Sequence, residues 1–141
     1  LFQLVEKHGK VLYERMKGKE NVYFVYGATS AEQREEIRGI VDNSASSTTI
    51  ASYGTFSTGI NIRNINNIVL ASPSKSKIRV LQSIGRGLRT SSSKDSILVF
   101  DIADDISYKG RYNFTLNHFF ERLNIYNEEQ FNYEISKVKI K

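Results

Sequence analysis

Cysteine is missing from the 141-residue chain, which excludes a disulfide framework and any thiolate metal ligand or nucleophile, and suits a reducing cytoplasm. Apolar runs such as Ile68 to Ala71 reach about four residues, where a membrane-spanning helix needs roughly 20. The first residues read neither as a signal nor as a transit segment. They begin at Leu1 in mid-pattern, as a piece of a longer polypeptide begins. With 40% hydrophobic and 25% charged residues the composition is that of a globular domain, not a disordered tail or a fibre.

Carboxylates are absent from the 52 residues between Asp42 and Asp95, a stretch that carries Arg63, Lys75, Lys77, Arg79, Arg86, Arg89 and Lys94. The rest of the chain holds 13 basic and 15 acidic residues, so this one segment accounts for the whole net charge of +5. A phosphate-rich partner is one reason to tolerate such repulsion; neutralisation by other segments of the fold is the alternative.

Hydrophobic patterning predicts alternating strands and helices. Leu1 to Gln3 reads as the end of a strand, and Val5 to Lys17 as a helix with Val5, Leu12 and Met16 apolar, closed by Gly18. Val22 to Tyr26 is a continuous apolar strand, the pattern of burial on both faces. Ser30 and Gln33 form a capping-box signature for a helix to about Asp42, with Ala31, Ile37, Ile40 and Val41 inward. Further strands are expected at Thr48–Ser52, Asn67–Ala71 and Ser96–Asp101, and a low-complexity loop at Thr90–Lys94. This order predicts a mostly parallel α/β sheet with ligands at the strand carboxyl ends. Asn113 to Glu129 reads as a docked helix with a core stripe of Leu116, Phe119, Phe120 and Leu123, and Phe131 to Ile140 as one more strand. His8 and His118 stand alone, without a second ligand at metal spacing, and no metal site is expected.

Two segments carry chemistry. Ser74 to Arg89 is amphipathic: on a helix Val80, Leu81, Ile84 and Leu88 fall in one arc, and Gln82, Arg86 and Arg89 fall opposite. Gly85 and Gly87 weaken that helix by about 1 kcal/mol each and clear space beside the arginines for a ligand or facing domain. The face reads equally as an anion site or as a solvated basic helix end. Ala51 to Asn61 is a glycine-containing turn at a strand end, where Gly54 and Gly59 imitate a Walker A loop without its Lys and Ser or Thr. Asp101, Asp104 and Asp105 imitate a Walker B acid but read as strand-end and loop acids. A true Walker A loop and a GxGxxG fingerprint are both lacking, which argues against a dinucleotide oxidoreductase.

Gln82, Gly85, Arg86 and Arg89 match QxxGRxxR, motif VI of the superfamily-2 helicases, and the turn ending Gly59, Ile60, Asn61 resembles motif V. Leu1 and Phe2 look like the end of motif IV, and Gly27 with Gln33 and Arg34 resembles the segment that follows it. Within the superfamily the chain resembles the phage UvsW-type DNA helicases, which remodel branched DNA. That resemblance implies a RecA-like sheet with helices on both faces at 1–112, lacking the start of its first strand, and a packed C-terminal extension at 113–141. It implies Arg86 and Arg89 as arginine fingers on ATP, with Gln82, Gly59 and Asn61 by the nucleotide, although relatives commonly have Asp where this chain has Asn61. Gly27, Arg34, Ser52, Tyr53, Gly54, Thr58, Lys75 and Lys77 would serve the DNA side, and Gln82, where RNA-acting relatives carry His, favours DNA. ATP with Mg²⁺ would be held mainly by an N-terminal RecA-like domain of the same polypeptide, in the cytoplasm of a host cell if phage-encoded, with no membrane partner. The expected role is the motor domain of an ATP-dependent helicase in recombination, repair or replication. The alternatives are a non-catalytic nucleic-acid-binding domain and the motor of a restriction-type nuclease subunit.

Overall fold

The computed structural model describes residues 1–3, 5–19, 21–72, 74–88 and 96–139. Four strands, β1 (Val22–Val25), β2 (Thr48–Ala51), β3 (Asn67–Leu70) and β4 (Leu98–Asp101), alternate with α1 (Lys10–Met16), α2 (Ala31–Asp42), α3 (Lys77–Gly87) and α4 (Phe114–Glu128). β1 pairs with β2 and β3 with β4, both parallel, with Val25 opposite Ala51 and Val69 opposite Phe100. Residues 1 and 2 lie between the two pairs. Phe2 N–H donates to Ala51 O (3.1 Å), Tyr53 N–H to Phe2 O (3.0 Å) and Ala71 N–H to Leu1 O (3.0 Å). The α/β alternation with parallel pairing read from the sequence is present.

The capping box at α2 forms as its spacing predicts: Ser30 Oγ accepts from Gln33 N–H, and Gln33 Oε1 accepts from Ser30 N–H. One main core lies between α2, β1, β2 and β3, built on Val25, Val41, Ala51, Phe56, Ile68 and Leu70. On the opposite face of β1 the rings of Phe2, Tyr13 and Phe24 stack beneath α1, with centroids 5.3–5.5 Å apart. That half of the sheet is covered on both sides. The β3–β4 half is covered by α3 and α4 on one face, while Val69, Leu98, Phe100 and Ile102 stay exposed on the other.

Several expectations are corrected. Val5–Gly9 is a wide π-type turn, and α1 starts only at Lys10, because Gly9 backs onto the Phe2 ring; a Cβ there would sit 2.5 Å from it. Ile40 and Ala31 are exposed, and Val41 is the buried residue of α2. On α3 the buried set is Val80, Ser83, Ile84 and Gly87, a stripe at spacings of three, four and seven; Leu81 is half-buried and Leu88 is 48% exposed. Gly87 serves that packing: a Cβ on it would come 2.6 Å from Ile97 and 2.8 Å from Ile68. On α4 the buried residues are Arg122, Ile125 and Tyr126, and the expected stripe is only partly covered, with Phe120 exposed. Residues 131–139 form no strand. Phe131 instead closes α4: Gln130 takes a left-handed φ of 57°, and Phe131 N–H donates to Tyr126 O at 2.9 Å. The loop at 90–94 and Ile140 lie outside the described residues.

Candidate functional site

After β2 the chain turns through a second π-type turn, Thr55–Gly59, anchored at both ends. Thr55 N–H donates to Ser52 Oγ at 3.3 Å, and Thr58 Oγ1 donates to Gly54 O at 3.0 Å. The chain leaves it extended at Ile60. α2 comes alongside, and Arg34 reaches across so closely that a Cβ on Gly59 would lie 2.5 Å from its Nη1. A side chain at 59 would displace the flexible end of Arg34 from this position. Arg34 Nη2 donates to Gly27 O at 3.0 Å, and its Nε is buried with no hydrogen-bond partner among the described residues.

From the third direction α3 delivers Arg86, whose Nη1 donates to the Ile60 carbonyl at 2.6 Å. Ala31, Arg34, Glu35, Thr58, Gly59, Ile60, Asn61 and Arg86 together line a solvent-open cleft of about 320 Å³. Two guanidiniums, a glycine turn and a side-chain amide thus face one open cleft, a donor set that suits an anion with several oxygen acceptors.

The sequence assignments divide over this geometry. Gly59, Asn61 and Arg86 meet in the cleft, joined by Arg34 and Thr58, which had been placed on the DNA side. Gly27 touches the cleft through its carbonyl. Gln82 is exposed one turn earlier on α3, and Arg89 lies outside the described residues. Ser52 and Gly54 anchor the turn and are partly or fully exposed. Tyr53 is a correction: it is buried in the main core, its hydroxyl donates to Ser72 O at 3.1 Å, and burial pushes its pKa up to about 12. Lys75 is exposed at the start of the loop before α3. Lys77 is neutralised by Glu128 at 2.5 Å and Glu129 at 3.5 Å, so in part the fold answers the carboxylate-free stretch internally.

Sequence reasoning missed Glu35, the Ile60 carbonyl and the network behind α4. Arg122 is fully buried and grips Asp101 through Nε (2.7 Å) and Nη2 (2.6 Å), while its Nη1 donates to Ser74 O at 3.0 Å. Tyr126 hydroxyl adds a bond to Asp101 at 2.7 Å. Burial opposes the Arg122 charge, but the hydrogen bonds and charge of Asp101 outweigh it and raise the pKa; burial followed by Asp101 raises that of Tyr126. Asp101 is thus a structural acid, as its lack of a Walker A partner suggested. Among the described residues no three carboxylate or imidazole groups converge on a metal position, and no helix is long and apolar enough to cross a membrane.

Comparison with known proteins matches residues 2–91 to the helicase conserved C-terminal domain. The chain is 36% identical over 144 aligned positions to the ATP-dependent DNA helicase uvsW of Enterobacteria phage T4, covering 94% of this chain and 29% of the relative. It is 31% identical over 102 positions to the putative ATP-dependent helicase IRC3 of Saccharomyces cerevisiae, covering 72% of this chain and 15% of that relative. The chain therefore spans less than a third of the length of either. A cleft drawn from three separated segments, within a parallel α/β sheet whose residues 2–91 match throughout, assigns the chain to the helicase conserved C-terminal domain family, with the RecA-like α/β fold of that family.

Proposed function

We propose that this chain is the C-terminal motor domain of an ATP-dependent DNA helicase that remodels branched DNA in the cytoplasm, with residues 1–112 as the RecA-like body and 113–141 as an extension packed on it. The observation that carries the reading is the convergence of Arg34, Gly59, Asn61 and Arg86 from three motif segments on one open cleft.

Phosphoryl transfer from ATP develops charge on the γ-phosphoryl oxygens, and cations aimed at those oxygens lower the barrier. Arg86 and Arg89 supply that stabilisation when a neighbouring motor domain brings the nucleotide onto the cleft, with Asn61 and Gln82 beside it. In this reading Mg²⁺ and the phosphate loop are supplied mainly by an N-terminal RecA-like domain of the same polypeptide. Closure of the two domains then both completes the site and moves the DNA held along the strand carboxyl ends by Gly27, Ser52, Gly54 and Lys75.

The test uses the full-length protein. Arg86→Ala and Arg89→Ala are expected to cut ATP turnover at saturating DNA by about 10³-fold while leaving DNA affinity nearly intact. Lys75→Ala is expected to do the reverse, lowering affinity and the salt slope with turnover preserved. If the arginine variants instead weaken DNA affinity across a salt series and spare turnover, the domain is a binding module and the motor reading fails.

A further inference from the structure

After β4 the chain makes a feature that the motor reading does not use. Tyr108 and Arg111 pair across a two-residue turn, with Tyr108 N–H donating to Arg111 O at 3.1 Å and Arg111 N–H to Tyr108 O at 3.0 Å. Lys109 (φ 48°) and Gly110 (φ 75°) are both left-handed, the geometry of a tight hairpin tip. Asn or Gly would sit there with little strain, whereas the Cβ of Lys109 crowds the following carbonyl. A cation is therefore displayed at the tip against backbone preference.

The rings around it face solvent. Tyr108 is 72%, Tyr112 60% and Phe114 68% exposed. They are braced from behind: Tyr112 stands edge-on to Phe120 at 5.2 Å, Phe114 lies 3.9 Å from the His118 ring, and Lys109 Nζ sits 5.3 Å from the Tyr108 centroid. Of the acids that precede the hairpin, the Asp105 carboxylate is engaged at the root of the loop, and the Asp104 backbone pins the same root. Asp105 accepts from Ser107 N–H (3.1 Å) and Oγ (2.6 Å), and the Asp104 carbonyl accepts from Asn113 and Thr115. The hairpin follows β4 at the carboxyl edge of the sheet, the edge where the segments after β1, β2 and β3 also emerge.

Braced, exposed rings on either side of two cations match a strand whose bases are unstacked: the rings offer flat faces to bases, and the cations sit where the phosphates pass. A duplex hides those base faces. Building on the motor reading, we propose that the Tyr108–Tyr112 hairpin, with Phe114, is a stacking site for single-stranded DNA, Lys109 and Arg111 holding the flanking phosphates. It would receive the strand that leaves the motor track and keep it from re-pairing.

The test uses the full-length protein, an oligothymidylate carrying one 2-aminopurine, and a blunt duplex. The double change Tyr108→Ser with Tyr112→Ser is expected to weaken single-strand affinity about tenfold or more and to abolish quenching of the 2-aminopurine, with duplex affinity unchanged. Tyr108→Phe with Tyr112→Phe keeps both, because the ring and not the hydroxyl stacks. Lys109→Asn relaxes the turn yet lowers the single-strand salt slope by about one. Serine variants that match wild type, that lose single-strand and duplex affinity equally, or that lose only self-association in light scattering overturn the proposal; the last would give the rings to a second copy. Wild-type ATPase stimulated by DNA, measured in the same preparation, keeps this outcome separate from failure of the motor reading.

Discussion

Arg122 meets a carboxylate in the interior, whereas Arg34 meets a backbone carbonyl at the rim of an open cleft that Arg86 also lines. The first arrangement fastens α4 to the end of β4 and to the loop before α3, and its charge is consumed in doing so. In the second, the carbonyl fixes direction while the cleft stays accessible to an external anion. Identical side chains thus take a structural or a chemical role according to which acceptor the fold supplies.

The sharpest way to break this contrast is to remove one partner of the buried pair. Arg122→Ala leaves the largely covered Asp101 without its counter-charge, bonded only by the Tyr126 hydroxyl, and is expected to cost about 3–5 kcal/mol in urea unfolding, whereas Arg86→Ala is expected to stay within about 1 kcal/mol of wild type. Arg122→Met together with Asp101→Leu and Tyr126→Phe, which also removes the hydroxyl that bonds Asp101, should recover most of the loss, since apolar groups replace the whole network at little cost.

Glycines extend the contrast at a smaller scale. Gly87→Ala drives a methyl into Ile97 and Ile68 in the core and is expected to destabilise by about 1–3 kcal/mol, partly offset by better helix propensity. Gly59→Ala meets the mobile end of Arg34, so melting should change little while turnover of the full-length protein falls as Arg34 is displaced. Equal loss of stability in both variants would erase the distinction between packing and site glycines.

Histidine titration gives a weaker effect. Burial lowers the pKa of His8, and burial followed by the charges of Lys75 and Arg122 lowers that of His118. The unfolded chain therefore takes up more protons as pH falls through the ordinary histidine range near ~6.5, so stability is complete above that range and declines below it. The urea midpoint should drop between pH 7.5 and 5.5, and His118→Gln should flatten that dependence. Smallest of all, Gln130→Gly should raise stability by about 0.5–1 kcal/mol by relieving the left-handed α4 cap.

What was legible in the sequence was local. Ser30 and Gln33 announced their cap at a spacing of three, and Val80 with Ile84 announced the inner face of α3. Gly59, Asn61 and Arg86 could be grouped from motif segments of recognisable spacing, whereas Arg34 and Thr58 had been assigned to the DNA side and Glu35 to none. What was not legible depends on partners far along the chain. Lys77 finds Glu128 some 50 residues away, Arg122 finds Asp101, and Tyr53 turns into the core to bond Ser72, none of which a window of ten residues contains. Leu88 failed for a subtler reason: close contact of Gly87 with Ile68 and Ile97 rotates the buried stripe of α3 toward small residues. The hairpin did leave a signal, two tyrosines flanking Lys109, Gly110 and Arg111, which only its turn geometry makes meaningful.

The most direct measurement of the claim that the cleft acts on a transferring phosphoryl group is ATP turnover by full-length Arg86→Lys at saturating DNA. Lysine keeps the charge but loses the planar fork that bonds two oxygens while holding the Ile60 carbonyl. The account predicts a fall of about 10²-fold or more with unchanged melting and DNA affinity. Turnover within a few-fold of wild type would mean that Arg86 contributes only charge, and would contradict it.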